Sequence, residues 1–154
     1  MIRTFLALWI PEEPRHRLAE LTCHLQAQKI NLVRWINPEA IHLTLKFLGN
    51  VEHSICENLL HAARQATHNL APFTVTFSEI RGFPDIHRPR VICLSMDQPP
   101  DPLIELHRRV DLEVSAIAKV PSETRQFVPH LTLGRVHTRV TQGERMAIGQ
   151  TLGK

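Results

Sequence analysis

The sequence contains the tetrapeptide His-Leu-Thr-Leu twice, at residues 42–45 and at residues 130–133. Side chains alternate between the two faces of an extended strand, so each copy places its histidine and threonine on one side and its leucines on the other. A random chain of this composition would contain one such copy roughly 0.01 times. The pair therefore predicts two half-buried strands that each present an imidazole and a hydroxyl group on the polar face.

The rest of the sequence predicts further strands and helices around these two segments. Apolar residues at helical spacing indicate helices over 12–28, from Ser54 to about 70, from Asp101 to about 117, and a short one over 144–152. Alternating or continuous apolar residues indicate strands at 3–10, 41–48, 73–77, 91–96 and 127–137, with a Gly-, Pro- and Arg-rich loop at 81–90.

This order of elements predicts an α+β fold built from a duplicated unit. Each half of the chain carries one of the two motif strands, and each half has its own helices and strands. We expect residues 1–154 to form a single bilobal domain with two pseudo-symmetric lobes. Each lobe would contain an antiparallel sheet, with the helices packed outside and the two sheets facing a central groove that receives the polar side chains.

Charge and cysteine content limit the environment and the partners. The formal net charge of +3 tolerates a phosphate-bearing ligand without requiring one. The three cysteines are widely spaced and odd in number, which argues against a disulfide framework and indicates a reducing compartment. No segment approaches the roughly 20 apolar residues of a membrane span, and the apolar stretch 1–10 fits a strand better than a signal peptide. We expect a cytoplasmic protein with no membrane partner.

Two histidines and two threonines suit acid–base chemistry on a phosphate. Because the ordinary pKa of histidine is about 6.5, one imidazole of a pair can be neutral and the other protonated near neutral pH. The neutral ring can take a proton from water, and the protonated ring can give one to the leaving oxygen. Thr44 and Thr132 can hydrogen-bond the non-bridging oxygens. A strained cyclic phosphate needs no metal ion or other cofactor at such a site.

A zinc site is an alternative use of the histidines, but the spacing does not favour it. Neither His-x-His nor His-x-x-x-His occurs, and no carboxylate adjoins either motif. The other alternative is that both copies are ordinary core strands, which the doubling makes the weaker interpretation.

Four further residues are candidate substrate contacts. Lys46 shares a strand face with the first histidine and threonine and would add positive charge. Arg90 and Arg135 have guanidinium groups that match phosphate geometry, although Arg135 should start on the other side of its strand. For both arginines, a solvated surface position is the alternative. Phe83 could stack on a base, or it could pack in the core.

These residues resemble the two-histidine phosphoesterase superfamily, whose signature is one His-x-Thr/Ser-x motif in each half of a bilobal fold. The resemblance is to its bacterial and archaeal branch, the RNA 2',3'-cyclic phosphodiesterases, also called 2'-5' RNA ligases. It extends beyond the motifs to residues 3–7, 35–49, 82–84, 88–91 and 127–135.

The resemblance implies metal-independent opening of a 2',3'-cyclic phosphate at an RNA end to give a 2'-phosphate. It also allows the reverse reaction, which forms a 2'-5' linkage. By analogy, His42 would be the general acid that protonates the departing 3'-oxygen, and His130 would be the general base that activates water; the opposite division of roles stays open. The implied partners are RNA ends carrying a cyclic phosphate, or cyclic nucleotides.

Two departures from the family leave other functions open. Many relatives have a tryptophan where this chain has Cys93, and they continue for a further helix and strands beyond the second motif. We therefore expect the family's C-terminal strands to be missing from this sequence, which leaves the oligomeric state undecided. The alternatives are a phosphodiesterase for a small cyclic nucleotide or ADP-ribose cyclic phosphate, and a non-catalytic domain that binds RNA ends.

Overall fold

The computed structural model describes residues 1–28 and 31–152. Its strands are β1 (Ile2–Trp9), β2 (Val33–Trp35), β3 (His42–Val51), β4 (Glu79–Phe83), β5 (Val91–Ser95) and β6 (His130–Val136). Its helices are α1 (Glu12–Ala27), α2 (Cys56–Thr67), α3 (Asp101–Ala118) and α4 (Gln142–Leu152). The predicted α+β class is confirmed. Within the described ranges, no helix combines the length and the apolar character needed to cross a membrane.

The chain divides into two compact units, and the first comprises residues 1–8, 44–76 and 98–129. In this unit β1 lies beside β3, and α2 packs against α3. The helices bury one apolar stripe each, as their periodicity predicts. These stripes are Leu59, Ala62 and Ala66 on α2, and Leu103, Leu106, Val110 and Val114 on α3.

The second unit comprises residues 9–43 and 77–97 together with the chain from residue 130 onward. Here β4, β5, β6 and the first residues of β3 pair side by side in that order, all antiparallel, and β2 adds to β6. Leu131 on β6 is opposite both Leu43 on β3 and Leu94 on β5. This alignment fixes which residues of the two motif strands share a face.

The predicted division into two sheets is wrong. The strand β3 is ten residues long, and its two ends serve different units, so the strands form one six-stranded sheet. Both motif histidines lie in the second unit. The arrangement of two lobes with one motif in each stays a prediction. The internal duplication stays a prediction.

The predicted strand at 73–77 is also wrong. Its phenylalanines and valine are half-buried and its threonines are exposed, as an alternating pattern requires, yet the sheet pairing begins only at Glu79. Alternation reports burial of one side of an extended segment, and it does not show that a neighbouring strand is present. Helix α2 begins at Cys56, after a short 3-10 turn over His53–Ile55.

Candidate active site

The two motif strands have the same burial pattern. β3 begins at His42 and β6 begins at His130. The histidine and threonine of each motif are half-buried, whereas the leucines that alternate with them are buried: Leu43, Leu45, Leu131 and Leu133. The alternation that the tetrapeptides predicted is confirmed, and the leucines fix each strand to the core.

The pairing of β3 with β6 brings the polar faces of the motifs together. Leu43 is opposite Leu131 in an antiparallel alignment, so the next position along places His42 opposite Thr132. His130 lies two residues before Thr132 on the same strand and therefore on the same face. Diagonal neighbours of this kind are roughly 7–8 Å apart. Two imidazoles at that separation can contact opposite sides of one phosphate.

The ring of His42 is oriented by two neighbours. Its Nδ1 lies 2.8 Å from the carbonyl oxygen of Ala40, and because a carbonyl only accepts, Nδ1 donates. The indole of Trp9 lies nearly parallel to the imidazole, at 17° and 6.2 Å between centroids, and the Trp9 side chain is largely exposed. Protonation of His42 therefore takes place at Nε2, beside an exposed aromatic surface.

Sequence reasoning did not identify Trp9 as a site residue, because the apolar segment 1–10 predicts a buried strand as a whole. The exposure of Trp9 at the end of β1 is visible only in the structure, and no local pattern of the sequence reports it.

His130 contacts the ring of Phe83 and has Ser95 as its partner residue on β5. The Phe83 ring is 5.2 Å from the imidazole and tilted by 59°. Ser95 on β5 is the residue opposite His130, and it is buried. Phe83 thus packs against a motif histidine, and Ser95 is a neighbour that the sequence did not predict.

Cys93 occupies the position opposite Thr132 on β5. Burial raises the pKa of its thiol to about 11, against the opposing effect of the nearby Arg81 charge. The thiol is therefore protonated at neutral pH, and Cys93 is not a nucleophile at this site.

Lys46 does not have the environment that the sequence predicted. Its ammonium forms an ion pair with Asp111 of α3 and donates to the carbonyl oxygen of Pro121 at 3.2 Å. Burial alone would raise the pKa of the Asp111 carboxyl, but hydrogen bonds from Lys46 and from the Glu123 amide lower it overall. The charge of Lys46 is thus compensated by Asp111 inside the first unit, whereas the sequence predicted a lysine whose charge is available to a phosphate.

Arg90 and Arg135 lie together but not beside the motif histidines. Both line an open cleft of about 720 Å³ at the C-terminal end of β6, together with Arg34 and Arg145. Neither His42 nor His130, which begins the same strand, is among the lining residues.

The chain matches a known protein family. Residues 8–93 match the family described as LigT like phosphoesterase. The chain belongs to this family. The match covers more than half of the sequence, including the first motif, and it confirms the resemblance inferred from the residues.

Curated relatives extend the similarity to the second motif. The RNA 2',3'-cyclic phosphodiesterase of Methanothermobacter thermautotrophicus is 30% identical over 135 residues, which are 88% of this chain and 71% of that protein. The Thermotoga maritima protein of the same name is 32% identical over 136 residues, covering 88% and 70%. The chain spans just over half of the Aquifex aeolicus phosphodiesterase, 55% of its length, with 26% identity and 67% of this chain covered.

Two solved structures have the same fold. Escherichia coli LigT complexed with 3'-AMP superposes with a TM-score of 0.69 at 31% identity, covering 90% of this chain and 76% of that one. A Thermus thermophilus protein superposes with a TM-score of 0.77 at 24% identity, covering 91% and 77%, which supports the fold alone.

Proposed function

We propose that this chain hydrolyses 2',3'-cyclic phosphate ends of RNA to 2'-phosphates by metal-independent acid–base catalysis between two histidines. The observation that carries the proposal is the strand alignment that puts His42 opposite Thr132, diagonal to His130. The relatives named RNA 2',3'-cyclic phosphodiesterase support the reaction type, and E. coli LigT with 3'-AMP supports a nucleotide substrate.

The reaction needs one proton removed and one proton supplied. Neutral His130 takes a proton from water, whose oxygen forms a bond to phosphorus. The bond from phosphorus to the 3'-oxygen breaks, and protonated His42 gives that oxygen its proton through Nε2. The hydroxyls of Thr44 and Thr132 donate to the non-bridging oxygens, where charge develops. General acid–base catalysis of this kind contributes about 100- to 10,000-fold in rate.

The surroundings of His42 support proton exchange at its Nε2 atom, which either role requires. The Ala40 carbonyl fixes the proton on Nδ1, so the proton that is gained and lost sits on Nε2. The product state has His42 neutral and His130 protonated. If a 5'-hydroxyl replaces water as the nucleophile, the same two proton transfers join the cyclic-phosphate end to it through a 2'-5' linkage.

A nucleoside 2',3'-cyclic phosphate tests this proposal directly. Turnover is measured with EDTA present, and the 2'- and 3'-phosphate products are separated. We expect only 2'-phosphate, and we expect His42→Ala and His130→Ala each to lower kcat at least about 100-fold. The matched control is His61→Ala on the exposed side of α2. Wild-type turnover by either motif variant, or loss of turnover with EDTA, contradicts the mechanism.

A substrate panel separates RNA ends from smaller substrates. The panel contains an oligoribonucleotide with a cyclic-phosphate end, a mononucleoside cyclic phosphate and ADP-ribose cyclic phosphate. We expect the highest kcat/KM for the oligoribonucleotide. A folded protein that binds the oligomer but turns over none of the three would instead be a binding domain.

A further inference from the structure

The cleft at the C-terminal end of β6 concentrates positive charge within the second unit. Four arginines line it: Arg34 from β2, Arg90 before β5, Arg135 from β6 and Arg145 from α4. His137 and Thr138 complete its polar lining. Among the residues that the structure describes, no carboxylate lines the cleft.

The backbone holds these arginines close to one another. Arg34 and Arg135 are directly opposite in the β2–β6 alignment, and like charges at opposite positions destabilise a sheet. Arg90 is held by its backbone, since its N–H donates to Phe83 and its carbonyl accepts from Val136.

Arg145 is held by its side chain. The guanidinium donates to the carbonyl oxygen of Pro89 at 3.0 Å and to that of His137 at 3.2 Å. The described residues include no ion pair between Arg145 and the adjacent Glu144, whose carboxylate accepts from the hydroxyl and the amide of Thr141 at the start of α4. The Arg145 guanidinium is therefore held in one orientation at the cleft, and it has no carboxylate partner among the described residues.

We propose that this cleft is a second anion site, which binds backbone phosphates of the RNA strand whose cyclic end lies at the two histidines. Guanidinium groups match phosphate oxygens, and several of them at one place favour a chain of phosphates over a single anion. Arg135 is five residues from His130 on β6, a strand distance of about 16 Å. Regular alternation would put the two side chains on opposite faces, but a register shift against β5 at the consecutive buried residues Leu133 and Gly134 interrupts it. Arg135 then follows on the less buried face with His130, so one oligonucleotide can reach both places. This proposal rests on the proposed function for the identity of the strand.

Binding is measured first, because it does not depend on turnover. The probe is a fluorescent single-stranded oligoribonucleotide with a 3'-hydroxyl, titrated by anisotropy at several salt concentrations. We expect Arg34→Ala to weaken binding roughly 10-fold, the value of one charged hydrogen bond. The slope of log Kd against log salt should fall by about 0.7 for each phosphate that the variant no longer binds. Arg34→Lys should keep the slope and lose part of the affinity, because it keeps the charge without the fork.

The matched control is Arg64→Ala on the exposed side of α2 in the first unit. Thermal unfolding is followed for every variant. The proposal is supported if Arg34→Ala weakens binding and Arg64→Ala does not. It is overturned if both weaken binding equally, if neither does, or if inorganic phosphate binds the cleft as tightly as the oligomer.

Turnover gives the second readout. The ratio of kcat/KM for an oligoribonucleotide with a cyclic end to kcat/KM for a mononucleoside cyclic phosphate should fall about 10-fold in Arg34→Ala. An unchanged ratio overturns the link between the cleft and the reacting strand. Absence of turnover on both substrates refutes the proposed function, and the binding titration then decides the anion site on its own.

Discussion

Replacing Asp111 by asparagine should destabilise the fold by about 3–5 kcal/mol, because it removes one partner of a buried ion pair. The side chain of Lys46 is 5% exposed and that of Asp111 is 12% exposed. Asparagine can still accept from the Glu123 amide, so the shape and that hydrogen bond are kept. The same oxygen atom also accepts from Lys46, so asparagine keeps both acceptor positions and removes only the negative charge that compensates the buried ammonium. Domains are usually stable by about 5–15 kcal/mol, so the loss would be a large share of the total.

Replacing Lys46 should lower the free energy of unfolding by less than replacing Asp111 does. In Lys46→Met the Asp111 carboxylate keeps its hydrogen bond from the Glu123 amide and some contact with water. The double variant Lys46→Met with Asp111→Leu leaves no buried charge at this pair, and it should be within about 2 kcal/mol of the wild type. Urea unfolding of the four proteins at pH 7 gives the double-mutant cycle. A loss below about 1 kcal/mol in Asp111→Asn would refute the reasoning.

The same pair gives a prediction for pH. The pKa of Asp111 is lowered in the folded protein, so its ionisation stabilises the fold above the ordinary carboxyl value and loses that effect as the pH falls through the lowered value. The stability difference between the wild type and Asp111→Asn should therefore shrink below about pH 4. A difference that stays constant from pH 7 to acid would contradict this.

The Lys46→Met variant also tests whether the lysine contacts substrate. If its charge serves only the ion pair, KM for a nucleoside cyclic phosphate should be close to the wild-type value at a temperature where the variant is folded. A rise of tenfold or more, about 1.4 kcal/mol, would show that the predicted phosphate contact is formed after all.

Three further predictions concern the site and its support. Thr132→Val should lower kcat about 10- to 100-fold, the value of one hydrogen bond to a charged oxygen, while thermal stability changes little; an unchanged kcat removes the hydroxyl from the mechanism. Trp9→Ala should raise KM for nucleotide substrates about 5-fold or more if a base stacks on it, and Trp9→Phe should restore most of this, whereas equal KM values in all three proteins exclude stacking. Gly149→Ala should cost at least about 1–3 kcal/mol by urea unfolding, because a Cβ there would lie 1.9 Å from the Ile86 carbonyl oxygen, whereas Gly143→Ala on the same helix has open space and should be neutral or stabilising.

The motif residues were predictable because strand alternation depends only on local sequence. Leucines at fixed positions predicted which side of each motif strand is buried, and the histidines and threonines followed. The pairing of the two motif strands was not predictable in the same way. It depends on β3 being long enough to serve both units, which no local pattern reports.

The arginines illustrate the same limit. Arg90 and Arg135 were identified as candidate phosphate contacts from their chemistry alone. The structure places both arginines away from the histidines and close to Arg34. Arg34 belongs to β2, a three-residue strand too short to give a periodic signal in the sequence. The pairing of Lys46 with Asp111 is equally distant in sequence, and only the packing of α3 reveals it.

The rate at which the Cys93 thiol reacts with a labelling reagent would measure how often the sheet opens locally. Its sulfur is fully buried opposite Thr132, and a thiol with a pKa of about 11 reacts with alkylating reagents only after it reaches water. In a variant with Cys23 and Cys56 replaced by serine, Cys93 is the cysteine left to react. Its labelling rate at neutral pH would then measure how often β5 separates from β6. A ligand that binds across the motif strands should slow that rate in proportion to its occupancy. Cys93 would thus report, without any added probe, how often the strands beneath the two motif histidines separate.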